Sequence, residues 1–113
     1  MIPRNNILAA ALALALPLTA CGDEPKPTGP SDAAYEIVGK EAVKARLRDP
    51  DSAEFTLVRV VRRGETTAIC GYVNSKNGLG GMTGPQRFIS GGATALEEDF
   101  APGEMDQAWA RLC

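Results

Sequence analysis

Histidine is absent from this chain of 113 residues, and aromatic side chains make up only 5% of it. Without histidine, the protein lacks the commonest general base, the commonest metal ligand and the usual pH-sensing side chain. An excess of one charge is also lacking, since 12 basic and 14 acidic residues leave a net charge of −2. That balance gives no electrostatic basis for binding nucleic acid. We therefore expect no metal, no cofactor and no nucleic-acid partner, and we predict that the protein is not an enzyme.

The first twenty residues have the layout of a secretion signal. A short polar start that carries Arg4 is followed by an apolar run at residues 7–18 and then by small residues. A run of this length is typical of a signal peptide, and it is shorter than the about 20 residues that a helix needs to span a bilayer. Residues 1–20 are therefore predicted to be a signal peptide that is removed from the mature protein.

A cysteine follows the predicted signal peptide directly. The sequence at residues 18–21 is Leu-Thr-Ala-Cys, which resembles the lipobox of bacterial lipoproteins. The resemblance implies that Cys21 becomes the first residue and carries lipid, and several acyl chains hold a protein firmly on a membrane. In such lipoproteins an aspartate after the cysteine favours the inner membrane, whereas Gly22 stands here. We expect an outer-membrane lipoprotein that faces the periplasm; the alternative is an ordinary signal peptide with a chance cysteine.

The mature chain divides into a tether and one small domain. Residues 21–31 contain three prolines and several charges, with no apolar periodicity, which is typical of a linker. This segment is predicted to be a lipidated, Pro/Gly-rich tether. Residues 32–113 are predicted to form a small periplasmic α+β domain.

Hydrophobic periodicity predicts the elements of that domain. Apolar residues recur at helical spacing after Ser31 or Asp32, either of which suits an N-cap, and Pro50 limits the helix at its far end. Two β-branched runs separated by a turn at Gly64 predict a hairpin. The predicted elements are a helix at 32–49, strands at 55–61, 66–73 and 86–90, and a final helix at 104–113. We predict an N-terminal helix packed on a three-stranded antiparallel sheet, with the short C-terminal helix at one end of the sheet.

The two remaining cysteines form one candidate pair. With Cys21 assigned to lipid, Cys70 and Cys113 are left in a compartment that favours disulfides. A bond between them closes a loop of about 43 residues, which stabilises the fold by roughly 4 kcal/mol on the chain-entropy model. We expect this disulfide to fasten the final helix to the second strand. The alternative is a reactive Cys70 thiol, for which the sequence supplies no histidine partner.

The most unusual stretch is the glycine-rich segment at residues 70–85. It contains five glycines and two asparagines, so several positions are expected to need positive φ or close backbone approach. Residues 49–55 read DPDSAEF and residues 70–81 read CGYVNSKNGLGG. In this order they resemble a recurrent group of small, uncharacterised bacterial envelope lipoproteins with a DPxSAxF turn and a CGxVNxKN..GG segment. The resemblance covers residues 42–88, departs at Met82, where the group has an aromatic, and implies no particular activity.

Polar residues in and beside this segment suggest recognition. Binding residues are often found on loops that a rigid scaffold positions. The candidate recognition loop comprises Tyr72, Asn74, Lys76, Asn77 and Arg87. The leading hypothesis is a noncatalytic accessory module that binds an envelope protein or a cell-wall glycan there. The alternative is that asparagine and glycine serve only to form the turns.

Two other functions stay open. One is an inhibitor of, or an enzyme acting on, cell-wall glycans, with acids among Glu65, Glu97, Glu98 and Asp99. A glycan hydrolase needs two carboxyl groups about 5–10 Å apart in a cleft. The other is a structural surface-coat component, in which the fold matters only for stability.

Overall fold

The structure, a computed structural model, describes residues 29–113. The predicted signal peptide, Cys21 and most of the predicted tether lie outside the described residues. The elements in chain order are α1 (Asp32–Lys44), β1 (Glu54–Arg63), β2 (Thr66–Asn74), β3 (Gln86–Gly91), β4 (Ala93–Leu96) and α2 (Glu104–Leu112), with 3-10 turns at Pro50–Ser52 and Glu97–Asp99. The strands form one antiparallel sheet in the order β1-β2-β3-β4. The α+β class is confirmed.

The prediction of three strands is wrong, because a fourth strand follows β3 directly. Gly91 pairs with Ala93, and Gly92 between them has a φ of +34°, so the chain reverses through a single glycine. β4 is only four residues long, and its sequence of two alanines, a threonine and a leucine carries a weak strand signal. Pairing with β3, rather than its own propensity, stabilises this strand.

Helix α1 begins as predicted and ends earlier than predicted. The side chain of Ser31 caps it by accepting a 3.2 Å hydrogen bond from the N–H of Ala34. The helix ends at Lys44, not near residue 49, because the N–H groups of Arg46 and Leu47 donate to carbonyls three residues back. This tighter turn allows Leu47 to pack against the core. None of the helices within residues 29–113 is long and apolar enough to cross a membrane.

The two helices cover opposite faces of the sheet. We call the side that α1 covers the α1 face; its buried cluster consists of Val43, Ile69, Val73, Phe88 and Leu96. The α2 face carries a second cluster of Ala68, Cys70, Ile89, Met105 and Ala108. Because side chains alternate along a strand, neighbours such as Ile69 and Cys70 serve different faces. The expectation that the final helix caps one end of the sheet is therefore wrong: α2 lies across a face.

Strand β1 contains a β-bulge. The pairing with β2 shifts by one residue between Thr56 and Arg59, and Leu57 takes a φ of +52°, which is uncommon for a residue other than glycine. Leu57 is 75% exposed. The extra residue shifts the alternation of side chains by one position, so that Val58 and not Leu57 lies on the α1 face with Phe55.

Gly71 lies opposite the bulge, where a side chain does not fit. A Cβ atom there would stand 3.0 Å from both the Phe88 ring and the Cα atom of Val58. The first glycine of the CGxVNxKN..GG segment is thus explained by close packing.

The predicted disulfide is confirmed: Cys70 and Cys113 are bonded, with their Cα atoms 6.1 Å apart. Cys70 lies in β2 and is fully buried, whereas Cys113 follows α2 directly. The bond therefore fastens the end of α2 to the middle of the sheet.

Candidate functional site

Residues 75–85 join β2 to β3 in a loop that its own hydrogen bonds hold in shape. The N–H of Asn77 donates to the carbonyl of Gly81 at 2.7 Å, and the N–H of Thr83 donates to the carbonyl of Ser75 at 2.8 Å. The Asn77 side-chain oxygen accepts from the N–H groups of Leu79 and Gly81, at 2.9 and 3.2 Å. The loop is therefore a small hairpin closed by an asparagine.

Asn74 and Gly84 secure the base of this loop. The Asn74 side-chain oxygen accepts from the N–H of Gly84 at 3.0 Å, and Gly84 has a φ of +84°. The side-chain oxygens of both predicted asparagines thus accept hydrogen bonds from the loop itself, as the turn-forming alternative requires. These bonds fix the backbone that carries Lys76 and Leu79. Leu79 is 96% exposed at the tip.

Ser52 connects the DPxSAxF turn to the glycine-rich loop. Its hydroxyl donates to the carbonyl of Asp49 at 2.7 Å and accepts from the N–H of Lys76 at 2.8 Å. Pro50 begins the short 3-10 turn that places this hydroxyl. Two segments that lie 24 residues apart along the chain therefore belong to one structural unit.

A polar cleft of about 230 Å³ lies between this loop and the segment that follows α1. We call it the loop cleft. The side chains that matter for its charge and hydrogen bonding belong to Arg46, Arg48, Lys76, Asn77, Gln86 and Glu98. Three of these six are cations and one is an acid, so the lining is net positive.

The three cations of the loop cleft differ in whether they form ion pairs with carboxylates. Arg46 donates to the Asp99 carboxylate at 2.8 Å and to the carbonyl of Thr94 at 2.6 Å, so its charge is neutralised. Across residues 29–113, by contrast, neither Arg48 nor Lys76 has a carboxylate within 4.0 Å of its charged nitrogens. These two charges remain available to a ligand.

Gly78 leaves room for the Arg48 side chain beside the loop. A Cβ atom on Gly78 would lie 3.5 Å from Cδ and from Nη1 of Arg48, so the guanidinium group lies close to the loop. Arg48 is exposed and lines the same cleft as Lys76.

Tyr72 and Arg87, the other two residues of the predicted recognition loop, lie elsewhere. They pair with each other across β2 and β3 and contact Trp109 of α2, with the two aromatic rings 5.7 Å apart. Arg59 approaches Trp109 as well, at 5.4 Å from the ring centroid. The structure thus brings Asn74, Lys76 and Asn77 together at the loop and places Tyr72 and Arg87 on the α2 face.

Two of the four acids considered for catalysis, Glu97 and Asp99, are held in ion pairs. Glu97 accepts from Arg87 at 2.7 Å, and this hydrogen bond lowers the pKa of Glu97 while raising that of Arg87. Asp99 accepts from Arg46 and from the N–H of Leu96. A carboxyl group with a lowered pKa is poorly suited to donating a proton at neutral pH. Glu98 is exposed at the rim of the loop cleft.

Within the described part of the chain, no cluster of three or more cysteine, aspartate and glutamate side chains is placed to hold a metal ion. Comparison with protein-family models, curated proteins and solved structures found no significant match. The function must therefore be argued from the residues of this chain.

Sequence reasoning missed Arg46, Arg48 and Ser52 as parts of the site. All three lie between α1 and β1, and their position beside the loop depends on the early end of the helix. The order of the two motifs was the one available signal, because a DPxSAxF turn that accompanies a CGxVNxKN..GG segment suggests contact between them.

Proposed function

We propose that this protein is a lipid-anchored, noncatalytic recognition module of the bacterial envelope that binds its partner at the loop cleft. The observation that carries the proposal is the fixed loop with two nearby cations, Arg48 and Lys76, that form no ion pair within residues 29–113. Backbone N–H groups of the loop donate hydrogen bonds to the side-chain oxygens of Ser52, Asn74 and Asn77, and these bonds hold the loop in one shape. A loop ordered before binding loses little conformational entropy when a partner binds.

The direction of the tether supports this assignment. Arg62, near the far end of β1, forms an ion pair with Asp32 and donates to the carbonyl of Pro30 at 3.4 Å. The chain therefore enters the domain beside the β1–β2 turn. The loop cleft lies at the opposite end of the sheet, since Glu54 pairs with Asn74 there. A strand of ten residues spans about 30 Å, so a domain tethered at Pro30 carries the cleft away from the membrane.

Membrane attachment is tested separately from recognition. Growth of the host bacterium with a clickable fatty-acid analogue should label the full-length protein, and Cys21→Ser should abolish the label. Serine has no sulfur, so it cannot form the thioether that attaches the lipid. Labelling of the Cys21→Ser variant would contradict attachment at this residue.

Recognition is tested by photocrosslinking in the native envelope. A photoreactive amino acid replaces Leu79, which is exposed at the loop tip and whose side chain supports no other described residue. The matched control carries it at Glu65, an exposed position in the β1–β2 turn at the other end of the sheet. A defined partner captured at Leu79 and not at Glu65 would support the proposal. Equal capture at both sites, or none, would overturn it and favour a structural coat component.

A further inference from the structure

The charge of the loop cleft points to the chemistry of its ligand. We infer that the cleft accepts a carboxylate group of the partner, held between Arg48 and Lys76. This inference rests on the function proposed above and names the group that is recognised. It starts from the finding that these two cations line one cleft and have no carboxylate within ion-pair distance among residues 29–113.

The internal hydrogen bonds single out Lys76 within the loop. Asn74 and Asn77 use their side-chain oxygens to form the turns, and Ser75 is buried. The backbone N–H of Lys76 donates to Ser52, whereas its side chain is exposed and forms none of the hydrogen bonds that shape the loop. A side chain with a fixed backbone and a charge that pairs with no acid among residues 29–113 suits a ligand contact.

Arg48 supplies the geometry that a carboxylate needs. Its planar guanidinium group presents several N–H donors in a fork that matches the two oxygens of a carboxylate. The group lies close to Gly78 of the loop. The ammonium group of Lys76 adds a second charge without a demand on orientation.

The net charge favours a singly charged ligand over a doubly charged one. Arg46 is neutralised by Asp99, so the two free cations face one acid, Glu98, on the lining of the cleft. The difference is one positive charge, which a carboxylate balances and a phosphate dianion exceeds. Glu98 repels any anion, so its removal should strengthen binding while removal of a cation weakens it.

The experiment uses the full-length, lipidated protein in nanodiscs of neutral lipid. The probes are N-acetyl-alanyl-alanine with a free carboxylate, its C-terminal amide, and inorganic phosphate. Chemical-shift changes of the loop amides, in isotopically labelled protein, report binding. We expect saturable shifts with the carboxylate, weakening as salt is added because the cleft is open to solvent, and no saturable shifts with the amide or phosphate. Equal response to the amide would overturn the inference, and stronger binding of phosphate would replace carboxylate with phosphate as the ligand.

Four variants test the cleft itself. Arg48→Gln and Lys76→Gln should each weaken binding by up to about fivefold, the upper end of the range for exposed ion pairs. Glu98→Gln should strengthen it by about twofold, because it removes a repulsive charge. Arg63→Gln, an exposed cation at the far end of β1, is the control and should leave binding unchanged. Weaker binding by Glu98→Gln, or an equal loss with Arg63→Gln, would contradict the assignment.

The source of the carboxylate is separated by two further measurements. Cosedimentation with purified cell-wall sacculi, before and after chemical amidation of their carboxyl groups, tests the peptides of the wall. Capture at Leu79 tests a protein partner. A partner captured at Leu79 without any dependence on Arg48 would retain the recognition function and reject the carboxylate. Specific carboxylate binding without a captured partner at Leu79 would retain the carboxylate site and reject the recognition function.

Discussion

The two faces of the sheet are stabilised in different ways. On the α1 face, the strands supply most of the buried cluster, since α1 itself buries only Gly39 and Val43, and the edge of Phe55 meets Phe88 with ring centroids 5.7 Å apart. On the α2 face, α2 buries Met105 and Ala108, and a disulfide holds its end. A helix of nine residues is marginal in isolation, and cation–π contacts occur on both faces. The comparison indicates that a covalent bond fastens α2, whereas α1 is held by noncovalent contacts alone.

The largest expected effect comes from emptying the α1 face. Phe88→Ala removes a fully buried ring from its centre and should destabilise the protein by about 3–5 kcal/mol. Met105→Ala, on the α2 face, should cost about 2 kcal/mol, at the lower limit for such changes, because the disulfide still holds α2. Urea unfolding of both variants measures the difference. Equal losses would mean that the two faces are packed alike.

Removing the disulfide comes next in size. The double variant Cys70→Ser with Cys113→Ser should lose about 2–4 kcal/mol, because the unfolded chain regains the freedom of a loop of 43 residues. Hydrogen exchange should show that α2 loses protection first, while α1 keeps most of its own. Uniform loss of protection over both helices would contradict the separate stabilisation of the faces.

A smaller effect tests how closely α1 approaches the sheet. A Cβ atom on Gly39 would lie 2.9 Å from three side-chain atoms of Ile69. Overpacking of this kind costs about 1–3 kcal/mol, and the better helix propensity of alanine offsets about 1 kcal/mol of it. Gly39→Ala should therefore destabilise by up to about 2 kcal/mol in a thermal or urea measurement. Adding Ile69→Ala removes two of the three close atoms, Cγ1 and Cγ2, and keeps Cβ, so the double variant should lose less than the sum of the single losses.

The smallest effect is the acid dependence of the α2 face. The hydrogen bond from Arg87 lowers the pKa of Glu97, so this pair stabilises the fold above the ordinary glutamate pKa of about 4.3. That contribution is lost as the pH falls through the lowered pKa. The pair is partly exposed, so solvent screening limits it to about 1 kcal/mol. Glu97→Gln should flatten the decline in urea stability below about pH 4.5, whereas Glu98→Gln should leave it unchanged.

Several elements could be predicted because their signals are local. A cap at Ser31 or Asp32, the turn at Gly64 and a final helix at residues 104–113 were predicted from capping, turn chemistry and periodicity, and the structure has the cap at Ser31 and the helix at Glu104–Leu112. The disulfide followed from counting cysteines. β4 could not be predicted, because its stability comes from pairing with β3, and the end of α1 depended on where Leu47 packs.

The site was less accessible to sequence reasoning. Lys76 and Asn77 were found because the loop that carries them is unusual in composition. Arg48 was not, since its role depends on a contact with Gly78 across 30 residues of chain. Tyr72 and Arg87 were grouped with the loop because they flank it in sequence, but the alternation of β2 and β3 turns them to the α2 face.

The bulge at Leu57 also affects how copies of the protein can meet. β1 is an edge strand of ten residues, and a straight edge of that length offers unpaired backbone groups on which a second chain can assemble. Proteins held on one membrane are confined to two dimensions, which raises their encounter rate. The irregular backbone at Leu57 and the arginines that follow it interrupt that row of groups, while β4, the other edge, is too short to offer one. The bulge therefore acts against edge-to-edge aggregation, which would matter most on the membrane that we propose for this protein.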